Sequence, residues 1–92
     1  MLFVVLSNSK NGTCKERIAR RMQWKNPEGT NLIAEYWLTT EFPNVIQIVE
    51  TDNAQLLLSA VAEWDDVFDI SIYPAITGEE GMRNAQEMMK NL

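Results

Sequence analysis

The 92-residue chain is 46% hydrophobic and 23% charged, with a formal net charge of −5, one cysteine and no histidine. Without histidine, Ser-His-Asp and Cys-His catalysis, His-ligated zinc and the usual near-neutral proton shuttle are excluded; the lone Cys14 excludes an internal disulfide and a four-thiolate zinc site. An acidic chain is a poor partner for nucleic acid, whose binding needs a broad basic surface.

The apolar run "LFVVL", Leu2 to Leu6, predicts a central strand covered on both faces. It is too short to span a bilayer or to form a signal-peptide core, so a cytoplasmic location is expected, with no membrane partner. After the "NG" turn at Asn11 and Gly12, Thr13 and Glu16 have capping-box spacing and predict a helix to about Trp24. Its inner stripe is expected to be Cys14, Ile18 and Met22, which would bury the thiol. This segment is also the basic part of the chain. Six Lys and Arg residues against Glu16 between positions 10 and 25 make a net +5, with −10 over the remainder. Such a helix can meet an acidic surface on this chain or on another, which makes a protein-interaction module one alternative function.

"NPEGTN", Asn26 to Asn31, is turn chemistry. Asn31 to Thr40 and Asn44 to Thr51 then predict a hairpin around "EFPN". Asp52 and Gln55 form a second cap-like pair before a helix to Trp64, in which Leu57, Ala60, Val61 and Trp64 share a face and place Trp64 in the core. Asp69 to Ile76 alternates as a strand, and Pro74 within it points to a sheet edge. Thr77 and Glu80 repeat the capping spacing, opening a last helix to about Asn91 with Met82, Ala85, Met89 and Leu92 on one side. Asp65, Asp66 and Asp69 lack the spacing and glycine of a calcium loop, so no metal site is expected.

The order β-α-β-β-α-β-α is the split βαβ, ferredoxin-like α+β pattern with an extra C-terminal helix. The expected sheet is four-stranded and antiparallel, in the order 4-1-3-2 and filling one domain over 1–92. Alternation in the hairpin favours pairing Tyr36 with Ile48 and Leu38 with Ile46. One face then collects Leu32, Ala34, Tyr36 and Leu38, and we assign the helices to it. The other carries Ile33, Glu35, Trp37, Val45, Gln47, Val49, Ser71 and Tyr73. Left open, that face would be too apolar for a monomer, so a homodimer partner, a small partly apolar ligand, or both, should cover it.

The start "MLFVVL", the hairpin and above all "VETDNAQLLLSAVAEWDDVFDISIYPAIT", Val49 to Thr77, resemble the domain-of-unknown-function 3303 family over nearly the whole chain. The family is similar in turn to the dimeric α/β-barrel superfamily, in which two ferredoxin-like subunits press their open sheet faces together. The resemblance implies a homodimer and no particular reaction or cofactor. Cofactor-free oxygenases and haem-degrading enzymes of that superfamily place an Asn near the end of the first strand and a Trp on the second helix. Asn8 and Trp64 occupy similar places, while the absence of histidine excludes haem ligation of that kind.

The residues thus favour a non-catalytic small-molecule-binding or structural module that uses Trp37 and Tyr73 on its open face. The enzymatic alternative is a cofactor-independent monooxygenase or isomerase acting on a small aromatic substrate. In it Glu35, on a semi-apolar face, is a general base of raised pKa, working with Tyr73 and Asn8.

Overall fold

The structure, a computed structural model, describes residues 1–40 and 42–92. The elements follow in the order β1 (Leu2–Ser9), α1 (Cys14–Gln23), β2 (Thr30–Trp37), β3 (Val45–Thr51), α2 (Gln55–Trp64), β4 (Phe68–Ala75) and α3 (Gly78–Lys90). The four strands form one antiparallel sheet in the order β2-β3-β1-β4, the expected ferredoxin-like α+β arrangement with an added C-terminal helix. Continuous apolar character puts β1 in the middle of the sheet. Pro74, which has no N–H to donate to a further strand, lies on edge strand β4 opposite Phe3. Among the described residues no helix is long and apolar enough to cross a membrane. The predicted "EFPN" turn includes Glu41, which lies outside the described residues.

Residues opposite one another in an antiparallel pair share a face, so the register assigns both sides of the sheet. Phe3 faces Val49 and Pro74, Val5 faces Gln47 and Ile72, and Ser7 faces Val45 and Ile70. Phe3, Val5 and Val49 pack with Leu57 of α2, joined by Leu32, Ile70 and Ile72, and this is the helix-covered side. Trp64 of α2 is only 8% exposed, as its place on the inner stripe requires. The reverse side holds Leu2, Val4 and Leu6 of β1, Ile46 and Ile48 of β3, Ala34 and Tyr36 of β2, and Ser71, Tyr73 and Ala75 of β4.

The face assignment made from the sequence is therefore inverted for most of the hairpin. Glu35, Trp37, Val45, Gln47 and Val49 lie on the helix side, while Tyr36 is on the open side. The register also slips by two residues, with Tyr36 opposite Ile46 and Ala34 opposite Ile48. The face inversion follows from a β-bulge between Leu32 and Ala34. Strict alternation would separate Leu32 from Glu35 and Trp37, but the extra residue, Ile33, resets the parity and lets all three face the helices. Ile33 itself is 55% exposed and lines a shallow groove with Leu2, Glu50 and Ala75 at the edge of the open face.

Two helix starts differ from expectation. Thr13 precedes α1 but makes no side-chain cap bond: its hydroxyl donates to the Lys10 carbonyl at 2.7 Å and accepts from Arg17 Nε at 3.0 Å, while Glu16 is taken by Arg20. Before α2 the capping role falls on Asn53 rather than Asp52, its Oδ1 accepting from the Gln55 N–H at 3.0 Å. At α3 the expected cap forms, with Thr77 Oγ1 accepting from the Glu80 N–H. Gly29 turns the chain into β2 at φ +94°, and a Cβ there would meet Leu56 Cδ1 at 3.0 Å.

Removing the bulge residue leaves a regular ladder with every neighbour on its present face. A chain lacking Ile33 should therefore fold, at a cost of no more than about 1 kcal/mol for the half-exposed side chain. A chain lacking Tyr36 should lose several times that, because Glu35 and its neighbours then change sides. Urea denaturation of the two deletion variants measures the difference.

Candidate functional site

The helix layer stands off the sheet. No residue of α1 is buried, and the stripe expected to face inward does not: Cys14 is exposed, Ile18 is largely exposed and Met22 is 81% exposed. The side of α1 turned to the sheet is Arg17, Arg21 and Trp24, spaced i, i+4, i+7. Two arginine stems and an indole can cover an apolar floor while their polar ends keep partners. Arg17 lies over the Phe68 ring at 5.4 Å and Arg20 over Trp64 at 5.3 Å. Trp24 meets Trp64 edge to face at 5.6 Å.

Between this roof and the sheet is a cavity of about 220 Å³. Its floor is Val5, Leu32, Val49 and Ile72, and its far wall is Leu57 and Val61 of α2. All three tryptophans of the chain, Trp24, Trp37 and Trp64, line it, together with Phe68. Trp37, the largest sequence-predicted site residue, is 62% exposed and sits at the mouth beside Ile18 and Leu38.

One polar cluster interrupts the apolar lining. Glu35 Oε2 accepts from Trp37 Nε1 at 2.9 Å and from Arg21 Nη2 and Nε at 3.2 and 3.3 Å, while Oε1 accepts from Gln47 Nε2 at 2.6 Å. Burial pushes this carboxyl up, but the Gln47 and Trp37 hydrogen bonds and the Arg21 charge together outweigh burial and hold it below the usual carboxylate value. The expectation of a raised pKa at Glu35 is thus corrected. The carboxylate accepts four hydrogen bonds and anchors Arg21 and Trp37.

The other enzymatic candidates do not join it. Tyr73 and Asn8 are both on the open face, opposite Val4 and Asp69 respectively. They are separated from Glu35 by the sheet and from each other by about 13 Å of strand. Ser71 lies on that same open side opposite Leu6, and Ile33 lies at its edge, so the eight residues expected to share one surface divide between two. The sequence reading did not place Arg17, Arg21, Trp24 or Phe68 with Glu35 and Trp37. The signal available for the first three was their own helical spacing, in competition with the more apolar Cys14-Ile18-Met22 stripe.

Most of the basic charge on and before α1 is used within the chain. Arg20 holds Asp66 with both terminal nitrogens at 2.8 and 2.9 Å, and also Glu16 and the Glu63 carbonyl. Those hydrogen bonds raise Arg20's pKa and lower that of Asp66. Lys10 Nζ donates to the Asp65 carbonyl at 2.7 Å and lies 3.9 Å from Asp69. The acidic groups that Arg20 and Lys10 meet at the α2–β4 corner thus belong to the same chain.

The Glu35 cluster gives a pH signature. Its folded pKa lies below the reference 4.5, so the unfolded chain binds the proton first on acidification. The stabilisation is present in full above that reference and is lost as pH falls through the folded value. Glu35→Gln should cost about 2 kcal/mol at pH 7, where Arg21 loses its counter-charge, and the gap to the parent should narrow as pH falls below 4.5 and through the folded value. Urea midpoints of both proteins between pH 3 and 7 measure this.

The model of a family described as a domain of unknown function, DUF3303, matches residues 1–89. No curated protein and no solved structure matches the chain. With 89 of its 92 residues covered, the chain belongs to the DUF3303 family.

Proposed function

We propose that this protein is a non-catalytic, homodimeric small-molecule-binding module of the cytoplasm. In this reading the ligand occupies the cavity between helices and sheet, and the open sheet face packs against a second copy, as in a dimeric α/β barrel. The observation that carries the binding role is the gathering of every tryptophan around one 220 Å³ space. Leaving such a volume dry would cost about 5 kcal/mol at ~24 cal/mol per Å³, much of a small domain's stability. Water entering at the Trp37 mouth avoids that cost but wets four aromatic rings, and an apolar ligand gains by displacing it. The saturated Glu35 carboxylate favours binding over turnover.

The dimer rests on a separate observation. The open face presents Leu2, Val4, Leu6, Ile46 and Ile48, flanked by Tyr36 at 60% and Tyr73 at 52% exposure. Four strands of about eight residues outline roughly 500 Å², short of the ~800 Å² per partner of a stable interface. Helix α3, whose Met82, Met88 and Met89 are exposed, as is Leu92 just beyond it, extends about 20 Å and can supply about 200 Å² more, bringing the face to about 700 Å², within the ~600–1,000 Å² per partner of standard interfaces. Its methionines adapt readily to a facing surface. The occupant that meets all of this is a second copy, its own α3 reciprocating.

Two results are expected. Light scattering after size exclusion should give the mass of two 10.6 kDa chains, and Tyr36→Lys with Tyr73→Lys should give a folded monomer; a monomeric parent at micromolar concentration sinks the dimer. A neutral two-ring probe, 1-naphthamide, should raise the melting temperature in proportion to its concentration. Ala60→Phe, which fills the cavity from α2, should abolish that effect while the protein stays folded.

A further inference from the structure

We infer that the cavity selects small aromatic carboxylates, with Arg17 as the residue that takes the carboxylate; this rests on the binding role proposed above. The three arginines of α1 differ in one respect. Arg20 is paired with Asp66 and Glu16, and Arg21 with Glu35. Arg17 lines the cavity, half-buried, and among the described residues no carboxylate lies within ion-pair distance of it. Its Nε is engaged by Thr13 Oγ1 at 3.0 Å, and its guanidinium carbon is 5.4 Å from the Phe68 ring centroid. These contacts orient the side chain and leave both terminal nitrogens with their N–H groups available.

A guanidinium held in partly apolar surroundings is stabilised by an anion. The cavity's charged groups are Arg17, Arg21 and Glu35, a net +1 within a chain of net −5. Since all four donors around Glu35 come from the protein, that carboxylate has little left to offer a cationic ligand. The planar fork of an arginine matches a carboxylate bidentately. Around it stand Trp24, Trp37, Trp64 and Phe68, which suit a flat aromatic body. A cavity of about 150 Å³ accommodates benzene, so 220 Å³ leaves room for one or two fused rings carrying one acid group.

Calorimetric titration at pH 7 with 1-naphthoate and with its neutral isostere 1-naphthamide tests the assignment. Naphthoate should bind the full chain about tenfold or more tighter than the amide, the ratio expected for hydrogen bonds to a charged group. Arg17→Gln should bring the naphthoate-to-amide affinity ratio close to one, whatever the amide's own affinity for the variant. Arg17→Lys, which keeps the charge without the fork, should fall between. Equal affinities of the parent for the two probes would overturn the carboxylate assignment while leaving the cavity as a binding site. Failure of both probes to bind would remove the binding site itself. If Arg17→Gln does not fold, the ratio measured on the parent still decides.

Discussion

The Glu35 carboxylate ties helix α1 to the sheet through the two hydrogen bonds that it accepts from Arg21, and is itself fixed by those from Trp37 and Gln47. Helix α1 buries none of its residues, so packing of aliphatic side chains does little to hold it. It is held by charged ends instead, with Arg21 on Glu35 towards the β2 edge and Arg20 on Asp66 at the α2–β4 corner. Long arginine stems set the helix at a distance that leucines would have closed. The space beneath α1 follows from that choice of side chain, and so does its lining, because the rings of Trp24, Trp64 and Phe68 occupy the height that the stems create.

Much of the fold was legible because its signals are local. Continuous apolarity placed β1 centrally, Pro74 marked β4 as an edge, the Leu57-Ala60-Val61-Trp64 stripe oriented α2, and Thr77 capped α3. The assignment of faces was not legible, since it depends on a bulge at Ile33. Bulges often announce themselves by glycine, whereas a β-branched residue in a β-rich run gives no such sign, and a single extra residue reverses every alternation beyond it. The inner side of α1 was misread for a different reason. Counting apolar residues selects Cys14, Ile18 and Met22, but arginines can cover an apolar floor when carboxylates and aromatic rings receive their ends. Both errors converged on the site. Glu35, Trp37 and Gln47 were singled out but placed on the wrong side, and the arginines that complete their surroundings were read as a surface for an acidic partner.

The corrected geometry separates two surfaces that the sequence reading had merged into one. The helix side encloses a small aromatic-lined space with one net positive charge, and the reverse side is an aliphatic sheet fringed by Tyr36 and Tyr73. In the proposed assembly these do not compete: the second copy covers the reverse side and α3, while the cavity mouth at Trp37 opens along the β2 edge. DUF3303 is described only as a domain of unknown function and assigns neither surface a role.

The measurement that bears most directly on this account is a double-mutant cycle between Arg21 and Glu35, using Arg21→Ala, Glu35→Ala and the double variant in urea at pH 7. If the pair positions α1 over the cavity, the coupling free energy should be about 1.5 kcal/mol or more, well above the few tenths typical of solvent-exposed pairs. Additive effects, with coupling near zero, would mean that α1 is held by something else, and the reading of the cavity as a built feature would fail with it.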